Sequence, residues 1–294
     1  MRQAGACRPP TLRFNSLIMK KIGVFAVVAI ALGVACASPA WSALQFNMPY
    51  GATTESHEIY RLHMLIFYIC VAIGIIVYGA MIYAIVKFRK SAGAKPAQFS
   101  HNTRMEVIWT VIPALILVAM AVPSAKTLVN LADTRNSKIT IKVTGSQWQW
   151  HYDYLDEGVS FYSRLDRKSL IASQPGSGID PASIKNYLLN VNEPVVVPVN
   201  TKVRLLVTGA DVIHSWWVPD LGIKKDAIPG YVNEAWFTAT KEGTYRGQCA
   251  ELCGVGHAYM PIVVRVTSMQ DYQNWLAKMR ARSALSAAQR ANGG

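Results

Sequence analysis

Cys249, Cys253, His257 and Met260 fall within twelve residues and bring two thiols, an imidazole and a thioether to one short stretch of chain. Such sulfur donors combined with imidazole favour copper, and two histidines, a cysteine and a weakly held methionine make up copper electron-transfer sites. The competing reading is a disulfide, the default for two cysteines in an oxidising compartment. A C-x-x-x-C bridge closes a very short loop, stabilises little by loop entropy, and leaves His257 and Met260 unexplained. A copper site also requires a second histidine, and His151 and His214 are the candidates in the same part of the chain. One thiolate satisfies a single copper, so the second argues for two coppers bridged by both sulfurs.

The sequence around these residues offers strands to hold them. Lys138–Val143 alternates charged or polar with β-branched residues, and Gln147–Tyr154 alternates polar with aromatic, both with the period of two that marks a strand. Val195–Val199 and Lys202–Thr208 flank an Asn200–Thr201 turn, and Ala235–Thr240 and Ile262–Val266 add two more. Many short strands with turn residues between them predict an all-β sandwich or barrel. His214 is placed after a strand, in an aromatic-rich turn. Ser173–Gly178 reads as an exposed loop, and Met269 to about Arg282 as a terminal helix.

The remainder of the chain is built for lipid. Of its 294 residues 51% are hydrophobic and only 16% charged, against ~25% in soluble domains. The net charge of +13 suggests nucleic acid until it is divided along the chain. Residues 1–132 carry 12 basic and 3 acidic side chains, 133–275 carry 14 of each, and 276–294 carry 4 and none. Basic residues that gather beside apolar runs and in a tail indicate a membrane protein with sorted charge, and they exclude a basic groove for nucleic acid. Met19-Lys20-Lys21, an apolar run from Ile22 to Ala37 and Ser38-Pro39-Ala40 predict a signal peptide over 1–40, with Met19 as the translation start; an uncleaved anchor is the alternative. Within residues 41–132, helices over about 62–86 and 107–129 are long enough to span the bilayer. Lys87, Arg89, Lys90, Lys95 and Arg104 between them place that loop in the cytoplasm and both mature ends outside. Residues 133–267 then form an outer domain, and 268–294 a helix and basic tail.

The stretch Gly247–Pro261, with its C-x-x-x-C-x-x-x-H-x-x-M spacing and with His214 upstream, resembles the binuclear copper (CuA) motif of the cytochrome c oxidase subunit 2 family. The likeness extends to both membrane helices, Glu106–Ala114 at the second, the aromatic strand Gln147–Tyr154, and Leu221–Gly230. The resemblance implies a two-helix transmembrane hairpin followed by an all-β cupredoxin-like barrel in a bacterial inner membrane, with the copper domain periplasmic. It implies His214, Cys249, Cys253, His257 and Met260 as side-chain ligands of two coppers. Glu251 would contribute its backbone carbonyl and turn its carboxylate toward magnesium at subunit 1. Trp148 matches the residue where electrons enter from cytochrome c, and Glu106 a carboxylate near a proton path of subunit 1. The implied role is to accept single electrons from reduced cytochrome c and pass them to haem in subunit 1, where O2 is reduced to water with proton pumping.

Asp153, Asp156, Glu157, Asp211 and Asp226 are the acidic residues available to contact a basic cytochrome c, but the balanced charge of 133–275 predicts weak steering. The family commonly has Tyr where Gln149 stands and Arg where Tyr231 stands. A quinol oxidase counterpart would lack the copper ligands, all of which are present. A membrane-anchored copper chaperone would need strands alternating with helices and has no use for Met260.

Overall fold

The computed structural model describes residues 46–292 apart from positions 96 and 99, so the expected signal peptide lies outside it. Two long helices come first, α1 (Thr54–Lys87) and α2 (Thr103–Ala132). Both are apolar and long enough to cross a membrane. At 1.5 Å per residue, the 34 residues of α1 extend about 51 Å, well beyond a ~30 Å hydrocarbon core.

The excess length explains why α1 begins eight residues before its apolar run. Thr53 caps it, its Oγ1 accepting from the Ser56 amide (2.9 Å) while its own amide donates to Ser56 Oγ (3.0 Å). This closed pair satisfies two otherwise orphaned donors. The Glu55 carboxylate accepts from the Thr238 amide (2.9 Å), and Thr53 Oγ1 donates to the Leu221 carbonyl (3.0 Å), so this polar turn is buried against the outer domain. Gly51, in left-handed backbone (φ 78°), lies against Ser56 where no Cβ would fit. Glu58, a turn further on, accepts from Thr127 Oγ1 (3.0 Å) and Asn130 Nδ2 (3.2 Å) on α2, which fixes the two helices to each other. Interhelical polar contacts of this kind hold where apolar association is weak. α2 continues through Pro113 and Pro123.

The outer domain consists of β1 (Ile139–Ser146), β2 (Gln149–Tyr154), β3 (Val159–Ser163), a short helix α3 (Arg167–Ala172), β4 (Val195–Pro198), β5 (Lys202–Gly209), β6 (His214–Val218), β7 (Ile223–Ala227), β8 (Asn233–Thr238), β9 (Gly243–Cys249) and β10 (Pro261–Thr267). They form two five-stranded sheets, ordered β3-β2-β1-β5-β8 and β4-β10-β9-β6-β7. β1 pairs β5 and β4 pairs β10 in parallel, and the remaining pairs are antiparallel. Ile141, Val143, Trp150, Tyr152 and Leu205 from one sheet meet Val196, Val218, Ile262 and Val264 from the other in a single apolar core. Helix α4 (Met269–Asn292) covers one end with Tyr272, Trp275, Leu276 and Met279.

The six strands expected from alternation are present. The turn between β4 and β5 carries the chain from one sheet to the other, with Asn200 in left-handed backbone (φ 55°), a conformation Asn adopts more readily than most residues. β3, β6, β7 and β9 were not expected. β6 is buried on both faces and shows no alternation, β7 places two lysines and an aspartate at its centre, and β9 carries glycines. His214 therefore opens a strand and does not lie in a turn. α4 extends ten residues past Arg282, through an Ala-rich stretch of high helix propensity.

Thr53→Val keeps the side-chain volume but removes the cap and the bond to Leu221. A loss of about 1 kcal/mol is expected for such a cap, seen as a lower thermal midpoint of the detergent-solubilised chain and faster proteolysis near residue 53; an unchanged midpoint would refute the coupling.

Candidate metal centre

Two neighbouring strands of the second sheet bring the donors together. β6 and β9 pair Trp216 with Cys249, and the Ala250 amide donates to the Ser215 carbonyl (3.0 Å). Cys249 ends β9, Cys253 follows in the loop, His257 opens a single helical turn and Met260 immediately precedes β10. Cys249 and Cys253 are buried with Sγ atoms 3.9 Å apart, nearly twice the ~2.05 Å of a disulfide. Two free thiols therefore face each other across a gap that a metal can bridge.

The other donors surround that pair. His214 Nδ1 is 4.0 Å from Cys249 Sγ, and His257 Nδ1 is 3.6 Å from Cys253 Sγ. Met260 Sδ lies 3.6 Å from Cys253 Sγ, and the Glu251 carbonyl oxygen 3.3 Å from Cys249 Sγ. His214, Cys249 and Cys253 alone place three ligand atoms within 4.8 Å of one another. All six residues expected to hold copper thus converge, whereas His151 does not: it lies on β2, facing Ser160 Oγ (2.9 Å) and Asp153 (3.3 Å).

Several residues that carry no ligand atom fix this geometry. Asp211 Oδ1 faces His214 Nε2 at 2.9 Å, which fixes the ring's orientation with Nδ1 toward the thiols, as carboxylates beside metal-bound histidines do. The same carboxylate accepts from the amides of Gln147 (2.8 Å) and Val212 (2.7 Å). Asp211 is expected on a docking face, and it orients His214 here. The His214 ring lies against Gly145 of β1, where a Cβ would come within 2.9 Å of it. Trp150 is core, as expected, and its Nε1 also donates to the Met260 carbonyl (3.1 Å). Trp148 and Gln147 both donate to the Cys253 carbonyl, Nε1 at 3.2 Å and Nε2 at 2.9 Å. The Trp148 indole lies over Gly256, where any Cβ would overlap it. Only a glycine's role as a spacer could have suggested 145 and 256, and nothing in sequence spacing points to Asp211 as a partner of His214.

The other expected residues lie elsewhere. Asp226 Oδ1 accepts from buried Ser215 (2.8 Å) and braces β6 against β7. Asp156 and Glu157 occupy the β2–β3 turn, separated from the Trp148 end by the six residues of β2, or ~20 Å, and Glu157 pairs with Arg280 (2.5 Å). Glu106 lies in the first turn of α2, where its carboxylate accepts from the capping residue's amide at Asn102 (3.3 Å). The Glu251 side chain is exposed. Gln149 accepts from Arg164 Nε (2.5 Å), and Tyr231 is exposed.

Burial pushes both thiols up, but their surroundings split them. Hydrogen bonds with His214 and with the backbone of Ser215 and Glu251 outweigh burial at Cys249 and bring it down to about 7. At Cys253 burial and the neighbouring Cys249 charge act together and push it up to about 12. At His214 burial favours the neutral ring, yet Cys249 and Asp211 on either side raise it above its ordinary value. Without metal the pair shares protons, because two thiolates this close repel.

A metal that takes both thiolates must displace those protons. Adding copper to the metal-free chain at pH 8 should release about one proton from the cysteine pair, rising toward two at pH 6, so that affinity falls more steeply below neutrality; a release independent of pH would refute the split. Gly145→Ala should displace His214 and weaken copper binding while leaving the far-ultraviolet dichroism unchanged.

Residues 139–267 match the profile of the cytochrome C oxidase subunit II periplasmic domain, and 39–127 that of its transmembrane domain. A probable cytochrome c oxidase subunit 2 of Rickettsia prowazekii is 42% identical over 81% of this chain and 72% of its own length. The cytochrome c oxidase subunit 2 of Cereibacter sphaeroides is 40% identical over 78% of each. Among solved structures, the periplasmic domain of subunit II of cytochrome oxidase from Bradyrhizobium japonicum is 41% identical, covering 51% of this chain and 99% of that one with a TM-score of 0.44.

Proposed function

Because this chain belongs to the cytochrome c oxidase subunit 2 family, we propose that its outer domain holds a binuclear copper centre that accepts single electrons from a reduced cytochrome c. The observation that carries this is the pair of free, buried Sγ atoms at 3.9 Å with four further donors around them. The donor set suits two ions better than one. The Cys249 and Cys253 thiolates, the His214 and His257 imidazoles, the Met260 thioether and the Glu251 carbonyl would together offer two ions six donor atoms. Copper held by these residues would supply a one-electron carrier between the donor and haem in subunit 1.

The protein's part is to keep its ligands still. Asp211 holds one imidazole, Trp150 holds the Met260 backbone, and Gln147 and Trp148 hold the Cys253 carbonyl. Ligands braced in this way relax little when one electron is added, which favours fast transfer. The half-buried Trp148 links the outer surface to Cys253 through its bond to that residue's carbonyl, and it serves as the electron's point of arrival. Glu251, exposed beside the cluster, is free to bind magnesium at the contact with subunit 1, and Glu106 to stand near a proton path there. The basic residues at 87, 89, 90, 95 and 104 lie between the two helices and orient that loop to the cytoplasm, with the copper domain on the periplasmic side of the inner membrane.

Reconstituting the detergent-solubilised chain with copper tests the reading. Two coppers per chain, a purple colour and the multiline paramagnetic pattern of one electron shared by two nuclei are expected. Cys249→Ser or Cys253→Ser should abolish that pattern, because either removes a shared ligand. A blue chain with one copper, or no tightly held copper, would overturn it.

A further inference from the structure

A groove of about 570 Å³ lies where the outer ends of the membrane helices meet the β-domain. Leu128, Leu131 and Ala132, near the end of α2, give it an apolar wall, and Lys224, Lys225 and Trp236 line it from β7 and β8. Glu55 reaches it from the first turn of α1. Its height relative to the bilayer follows from the helices. Glu58 bonds Thr127 and Asn130 where the apolar stretch of α2 gives way to polar residues, so the groove opens at the level of lipid headgroups.

The charges there are only partly matched. Glu234 pairs with Arg204 (2.5 Å), and Asp133, just past α2, pairs with Arg135 (2.6 Å). Lys224 and Lys225 have no carboxylate partner among the described residues. Glu55 is 3% exposed and accepts only from neutral donors, the Thr238 amide (2.9 Å) and Thr54 Oγ1, so its charge has no cation beside it. Asp226, the acid of β7, does not line the groove. Trp236 Nε1 is a buried donor with no acceptor, although buried polar groups normally have partners. We propose that the groove holds the headgroup of a phospholipid that carries a primary amine. The phosphate is taken by Lys224, Lys225 and Trp236 Nε1, the ammonium by Glu55, and an acyl chain runs along Leu128 and Leu131. Charge-assisted bonds to phosphate are strong, and tryptophan is at home at this depth, with its ring in the apolar layer and its N–H toward the headgroups. A lipid held in this way fastens the β-domain to the bilayer beside the junction at Thr53. The proposal depends on the membrane hairpin and is independent of the copper centre.

The test takes the full chain in detergent, stripped of lipid, and titrates it with phosphatidylethanolamine, phosphatidylglycerol or glycerophosphoethanolamine, the last being the headgroup without acyl chains. Native mass spectrometry counts the molecules retained. One tightly held phosphatidylethanolamine per chain is expected, bound about fivefold more tightly than phosphatidylglycerol, as one added ion pair allows, with no retention of glycerophosphoethanolamine. Lys224→Gln combined with Lys225→Gln should weaken both lipids about tenfold. Glu55→Gln, which keeps an acceptor for the Thr238 amide, should abolish the preference for the amine and leave phosphatidylglycerol binding unchanged. The lysines lie on an edge strand, and far-ultraviolet dichroism reports whether each variant keeps its fold. Equal retention of the two lipids, with no effect of the lysine substitutions, would overturn the proposal. Retention of glycerophosphoethanolamine as tight as that of the lipid would also overturn it, by assigning the groove to a soluble phosphodiester. The same count on the assembled oxidase should again find the lipid, lost on substitution of the lysines; a complex without it would mean that subunit 1 fills the groove.

Discussion

Two thiols held 3.9 Å apart in a dry interior are an unstable arrangement unless the backbone forces it. In an oxidising compartment the lower-energy outcome is a disulfide, and ionising both sulfurs without metal sets two negative charges side by side. The fold opposes both outcomes. Cys249 is fixed by its place in the β9–β6 ladder, and Cys253 by two side chains gripping its carbonyl. Most of the local detail serves this separation: the glycines that admit His214 and Trp148, the carboxylate behind His214, and the tryptophan on the Met260 backbone.

The parts of this design that could be read from sequence are those in which residue type determines chemistry. Sulfur and imidazole donors at short spacing indicated a copper site, and two apolar runs with basic residues between them indicated a hairpin. Strands with one wet face, such as β1 and β5, announced themselves by alternation. β6, β7 and β9 did not, because a strand covered on both sides or crossed by charge has no period to detect. The first turns of α1 were missed for a related reason: Glu55, Ser56 and Glu58 resemble solvent-exposed residues until the domain that covers them is present.

The acidic residues show the limit most clearly. In sequence Asp153, Asp211 and Asp226 are three similar negative charges. In the fold one faces His151, one orients His214 and one braces two strands. A carboxylate's charge can be counted from the sequence, but its availability depends on which donors the fold has already directed toward it.

The junction between helix and domain has a consequence for how the protein is handled. β8 is an edge strand of the first sheet, and just beyond its end the backbone of Ala239 and Thr240 is met by Ala52 and Thr53, through a bridge at Thr53 and a bond from the Thr240 amide to the Ala52 carbonyl (2.8 Å). The residues leading into the membrane therefore shield part of a sheet margin that could otherwise recruit another chain. A soluble version of the domain cut after α2 would lose that shield along with its anchor, and it would be prone to self-association at β8 for reasons unrelated to its metal. Retaining residues 49–56 through a short tether, or placing a lysine or proline near the end of β8, is the remedy the architecture suggests.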